Sequence, residues 1–276
     1  MKRVIIILFT CNFFYVVNAQ QDTAFLKIVQ AEAQLKLMFD QLYDEQVPGS
    51  QIELFHDIDS VFNNALHLPG SFEHSWTKLE QVGRLVSDDG VLKVFSWLYM
   101  LGPDEYQYSG FLQLRDKNET EVFRLQPVND ENRHAPDFNQ EPDRWDGKAY
   151  YNLVTKKYKR KTLYTLIGVD FHNSSTSIKT IEVLGIQRGK PFFRDDQFLL
   201  KGTVEDRMVL EYSSEVAATV RYNSDLDMIV FDHLVPLHPL YHGNFQFYGP
   251  DGSYDGLRFE EGMWIFEEDV DARNDD

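Results

Sequence analysis

An α+β fold is predicted from three observations. Apolar residues recur at helical spacing up to Gly70, short apolar runs separated by turn residues follow from about residue 80, and no clean internal repeat is present. The expected architecture is an N-terminal helical hairpin followed by a mostly antiparallel β body. A β-propeller-like arrangement or an all-β barrel is the alternative.

The chain opens with a processing signal. Lys2 and Arg3 precede an apolar core from Val4 to Val17, broken by Thr10, Cys11 and Asn12. Val17-Asn18-Ala19 then offers residues that a signal peptidase accepts, so 1–19 reads as a signal peptide cleaved before Gln20. An apolar run of fourteen residues falls short of the roughly 20 that span a bilayer. Later segments are less apolar, so an integral membrane protein is not expected. The predicted destination is the periplasm or the outside of the cell.

Cys11 is the one cysteine, and it leaves with the signal. The mature chain would hold no disulfide, thiolate nucleophile or cysteine metal site. Its remaining 257 of 276 residues are long enough to be held by a core alone. Without Lys2 and Arg3, 25 of the 27 cations face 44 acids, a net charge of −19. Such a body is repelled by nucleic acid, which is excluded as a general partner.

The first helix is expected from Asp22 to about Tyr43, with Phe25, Ile28, Val29, Leu35, Met38 and Leu42 on one side and Pro48-Gly49 stopping the run. Ser50-x-x-Glu53 is a capping box for the second helix, in which hydroxyl and carboxylate each satisfy a free amide. Leu54, Phe55, Ile58, Val61, Phe62, Ala65 and Leu66 form its stripe, closed by Pro69-Gly70. The hairpin segment is therefore 20–70. A first β region covers 71–125, in which Ser87-Asp88-Asp89-Gly90 reads as a hairpin turn. Residues 126–147 carry three prolines and little apolar periodicity, so a loop or linker is expected there. A second β region spans 148–272, and 273–276 is an acidic tail.

Trp145-x-Gly147-x-x-Tyr150-Tyr151, Tyr164 to Gly168, Phe231-Asp232-His233-Leu234 and Tyr248 to Gly256 together resemble a family of uncharacterised secreted proteins of the Bacteroidetes. The resemblance covers most of 80–272. It implies an envelope location in a Gram-negative cell and carries no established activity or ligand.

Three groups of residues are candidates for chemistry. Asp251-x-Ser253-x-Asp255-Gly256 begins as a calcium loop does, with oxygens at alternate positions. Its twelfth position is Gly262 where a bidentate glutamate would close the sphere, and Pro250-Asp251-Gly252 and Tyr254-Asp255-Gly256 are both turn-formers. The turn is the favoured reading, with no cofactor expected and calcium at Asp251, Ser253 and Asp255 as the alternative. His233, His238 and His242 lie close in sequence beside Asp232 and could hold zinc, but Pro236 and Pro239 break any helix that would present them together. The third group is Lys156, Lys157, Lys159, Arg160 and Lys161, a basic concentration expected to cap a hairpin and to meet an anionic glycan, a lipid headgroup or an acidic protein face.

No nucleophile elbow, metalloprotease helix, phosphate loop or dinucleotide fingerprint is present. Paired acids such as Asp57-x-Asp59, Asp225-x-Asp227 and Asp269-x-Asp271 carry no signal in so acidic a chain. Of Trp76, Trp97, Trp145 and Trp264, the strand-borne Trp97 and Trp264 are expected in the core, not on a sugar-stacking surface. The function expected is that of an exported, non-enzymatic binding or envelope-assembly protein. The alternative is a metal-assisted or carboxylate-based hydrolase of extracellular polymer.

Overall fold

The computed structural model describes residues 4–44, 51–102, 105–117 and 119–272, with 4–22 described as backbone only. The acidic tail, Pro48-Gly49 and the capping residue Ser50 lie outside the described residues. Two helices precede a mostly antiparallel β body, so the α+β expectation holds. Two compact units divide the chain: Met1–Gln81 with Lys117–Val122, and Val82–Asp116 with Phe123–Asp276.

The first unit pairs α1 (Val4–Leu42) with α2 (Gln51–Leu66). α1 begins well before the predicted Asp22, and its backbone runs unbroken through the expected cleavage point at Ala19. α2 buries Phe55, Ile58, Phe62, Ala65 and Leu66, most of the predicted stripe. α1 departs from its stripe: Phe25 is 58% exposed, whereas Phe39 and Glu32 are buried. Glu32 tolerates burial because His74 Nε2 lies 3.0 Å from one carboxylate oxygen and the Lys78 amide donates to the other at 3.0 Å.

The second unit holds most of the strands. β1 (Gly83–Val86), β2 (Leu92–Gly102), β3 (Glu105–Asp116) and β4 (Glu119–Leu125) are neighbours in that order. β5 (Ala149–Tyr158), β6 (Lys161–Asp170), β7 (Thr176–Gln187), β8 (Lys190–Phe193), β9 (Phe198–Leu200), β10 (Thr203–Glu205) and β11 (Met208–Ser213) follow, then β12 (Val220–Asn223), β13 (Met228–Pro236), β14 (Tyr248–Glu260) and β15 (Met263–Glu267). A second sheet runs β11-β7-β6-β5 with β8 also on β7, and a third runs β10-β9-β15-β14-β13-β12. Among the described residues no barrel closes. β15 and β9 pair in parallel, a departure from the antiparallel rule.

The β5–β6–β7 sheet has apolar residues buried on both faces. Leu166 belongs to one core cluster with Leu92, Leu112, Trp145 and Tyr150. Its neighbour Ile167 belongs to another with Ile181, Ile229, Leu257 and Trp264. Strands buried on both sides read as continuous apolar runs, which explains why 163–169 lacks alternation. All four tryptophans are buried, at 1% exposure or less, so Trp76 and Trp145 are no more available to stack on sugars than Trp97 and Trp264.

The turn predicted at Ser87 to Gly90 is present, with Gly90 at φ 65° and its amide donating to the Ser87 carbonyl at 2.9 Å. Residues 126–147 form a loop inside the second unit, with isolated bridges at Pro127–Trp145 and Glu141–Arg144. Asp251 to Asp255 is not a turn between strands. It lies within β14, where three residues, 251 to 253, face the single residue His233 of β13, a bulge in the ladder.

Candidate functional site

The loop 126–147 is fixed by a buried ionic group. Asp146 Oδ2 lies 2.7 Å from Lys148 Nζ and 2.5 Å from Arg207 Nη1, and Lys148 Nζ lies 2.7 Å from Glu182 Oε2. All four side chains are at most 3% exposed. Two acids and two bases share the space, so no net charge is left there without a counter-charge. Burial by itself would raise the Asp146 carboxyl, but Lys148 and Arg207 bring it below its ordinary value. The stem of Lys148 runs where a Cβ on Gly168 would stand, 2.7 Å from Lys148 Cδ, so β6 needs glycine there. Tyr150 donates to the other Glu182 oxygen and accepts from Trp145 Nε1 at 3.0 Å.

Arg207 also reaches the backbone. Its Nη2 donates to the carbonyls of Arg133 and Ala135, the two residues that flank His134. His134 is thereby held against Asp170, the last residue of β6. Asp170 is 3% exposed. Its Oδ1 accepts from Tyr108 Oη and from the His172 amide, each at 2.8 Å. The Phe171 amide donates to the same Tyr108 oxygen at 2.9 Å, and His172 sits in the left-handed region at φ 41°.

These contacts turn Asp170 Oδ2 toward His134, whose Nε2 is 3.2 Å away, and toward Arg133, whose Nη2 is 3.6 Å away. One donor atom from each of His134, Asp170 and His172 lies within 4.8 Å of the other two. The two imidazoles meet edge to face, 4.8 Å between centroids. Burial, with the Arg133 charge beside it, brings the His134 pKa down to about 3, so this imidazole is neutral at physiological pH.

An open depression of about 540 Å³ lies beside the same β6–β7 connection. Tyr106, Tyr151, Phe171 and Tyr212 supply rings, and Asn173, Ser174, Ser177 and Ser214 supply polar groups. Among the described residues of its lining, Lys179 is the one that carries a charge. Tyr106 stacks on Phe171 with centroids 5.8 Å apart, and both Tyr151 and Phe171 are exposed. Lys179 Nζ is 3.2 Å from Tyr151 Oη and lies over that ring. Burial lowers the Lys179 pKa and raises that of Tyr151.

The basic run does cap a hairpin: Tyr158 pairs with Lys161, and Lys159 takes the positive φ of the turn. Lys157, Lys159, Arg160 and Lys161 are exposed there. Lys156 is not part of that patch. It points the other way, bonded to Asp227, 3.2 Å from Tyr222 Oη and 5.8 Å from the Trp264 ring centre.

The calcium alternative finds its three residues apart in role. Asp251 Oδ1 accepts from the Ser253 amide and hydroxyl at 2.9 and 2.7 Å, which lowers the Asp251 pKa, and Asp251 is exposed while Ser253 is half-buried. Asp255 is buried, 2.7 Å from His233 Nδ1, and accepts from the Asp269 amide. His238 accepts from the Leu240 amide at 3.2 Å as the cap of a short 3-10 turn. His233, His238 and His242 therefore do not converge.

No reading of the sequence singled out His134, Asp170, His172, Lys179 or Arg207. Asp170-x-His172 at the end of a strand was the one local signal, and it is weak without knowing that His134 arrives from a loop 36 residues earlier. Among the described residues no helix is long and apolar enough to cross a membrane. No family model, curated protein or solved structure matches this chain.

Proposed function

We propose that the protein is an exported binding protein, without a catalytic role, that holds an acidic glycan in the depression between Tyr106, Tyr151 and Lys179. One observation carries this reading. In a chain of net charge −17, the described residues that line this depression include one lysine and no carboxylate, the charge of Asp232 reaching Lys179 from outside the lining. Exposed rings give a flat apolar face for a sugar, hydroxyls and an amide give hydrogen bonds, and the ammonium pairs with a uronate. A carboxylate hydrolase would need acids converging on the same cavity.

The four exposed cations of the β5–β6 turn lie at the opposite end of the hairpin from Tyr151 and Val169. Export rests on the Lys2 to Ala19 pattern and on the resemblance to secreted proteins of the Bacteroidetes.

Calorimetric titration with uronic-acid oligosaccharides and their neutral counterparts tests the proposal. Saturable binding of the acidic series, lost in Lys179→Met and weakened in Tyr106→Ala, is the expected result. Binding unchanged by Lys179→Met would overturn it. Retention on phosphatidylglycerol vesicles without oligosaccharide binding would replace the glycan with a lipid headgroup.

A further inference from the structure

We propose that His134, Asp170 and His172 form a binding site for a divalent transition-metal ion, with zinc as the best fit. This does not rest on the glycan reading. The three side chains come from separate places, the 126–147 loop, the end of β6 and the β6–β7 connection, yet one donor atom from each lies within 4.8 Å of the others.

Distance and alignment distinguish shared ligation from a simple contact. His134 Nε2 and Asp170 Oδ2 are 3.2 Å apart, but neither makes an aligned hydrogen bond, to the other or elsewhere. Two ligands bound tetrahedrally at roughly 2.0–2.1 Å stand about 3.3 Å apart, a spacing that His134 and Asp170 already have, while the 4.8 Å bound on the whole set means that ligation draws the three together. His172 Nδ1 is likewise buried and without a hydrogen bond. Three buried polar atoms without a hydrogen bond, on side chains whose ligand atoms lie within 4.8 Å of one another, are costly unless something meets them. Arg133 Nη2 pairs with Oδ2 at 3.6 Å by charge but makes no hydrogen bond to it, and its Nε is itself without one.

The surroundings are those of a held ligand set. Tyr108 and the His172 amide fix one oxygen of Asp170, which leaves the other as the ligand atom. Arg207 fixes the backbone on both sides of His134. Two imidazoles with one carboxylate suit zinc and its first-row neighbours, whereas calcium requires six to eight oxygens. An ion here would tie the long loop to the strand end that carries Phe171, one wall of the depression.

The test uses purified protein stripped by a chelator and then dialysed free of it. Zinc titration by calorimetry is expected to give one tight ion per chain, and cobalt(II) a visible spectrum of a four-coordinate nitrogen–oxygen site. His134→Ala and His172→Ala should each weaken binding by about ten-fold or more. Arg133→Gln should strengthen it, because it removes a positive charge beside the ion. His238→Ala should change nothing. Zinc affinity unchanged by His172→Ala overturns the site. Should the variants fail to fold, the wild type still decides: zinc must raise the melting temperature of the stripped chain, and no shift overturns the proposal. Lys179→Met should leave zinc affinity intact, so the metal site and the glycan pocket fail or stand separately.

Discussion

Arg207 Nη1 lies 2.5 Å from Asp146 Oδ2 with both side chains out of water, and the same guanidinium holds the backbone around His134. A buried pair of this kind contributes little net stability against an apolar alternative, but losing one partner leaves the other charged and unsolvated. Arg207→Met should destabilise the second unit by about 3–5 kcal/mol, read from the urea midpoint at unchanged slope. Asp146→Asn should cost nearly as much, since Lys148 and Arg207 then face Glu182 alone. A loss below about 1 kcal/mol for either would mean that the loop is held by packing, not by charge.

The exposed counterpart behaves differently. Lys156 bonds Asp227, whose side chain is 67% exposed. Hydrogen bonds from Lys156 and Tyr222 hold the Asp227 carboxyl below its ordinary value. A depressed carboxyl stabilises the fold above the unfolded aspartate range, and that contribution disappears as pH falls through the folded value. Solvent screening keeps it small. Asp227→Asn should cost under about 1 kcal/mol at neutral pH and nothing in strong acid, as shown by denaturation curves along a pH series.

For the basic turn, reversing Lys157, Lys159 and Arg160 to Glu should abolish retention on an anionic matrix while circular dichroism stays unchanged. Wild-type retention should fall steeply with salt. Lys156→Gln should leave retention as it is, because that ammonium belongs to Asp227. Equal loss from Lys156→Gln would place the binding charge on the other face of β5.

Calcium added to stripped protein should not move the melting temperature. Asp255 is already engaged by His233 and the Asp269 amide, and Asp251 by Ser253. A rise of several degrees, lost in Asp255→Ala, would restore the calcium reading of β14.

Mass spectrometry of the protein from an exporting host should find Gln20 as the N-terminus. Met1 retained in a membrane fraction would remove the case for a cleaved signal.

Much of the fold was legible because its causes are local. The α2 stripe, the Asp-Gly turn before β2 and the Tyr158–Lys161 hairpin each follow from residue spacing or from one residue's backbone freedom. Asp251 to Gly256 was misread because a bulge and a turn use the same residues, and what separates them is whether the strand continues beside a partner. Here β13 supplies that partner. Of the sites, only Asp170-x-His172 at a strand end leaves a local mark, and it is weak. His134, Asp170 and His172, like Tyr151, Lys179 and Tyr212, come from different elements, and no spacing along the chain encodes which strand end a loop will meet. By itself the sequence determined the order of helices and strands, since hydrogen bonding and burial within one element depend on its own residues. Only the tertiary structure decided where charge is hidden and which polar side chains lie together, because those depend on which distant side chains share the same water-free space.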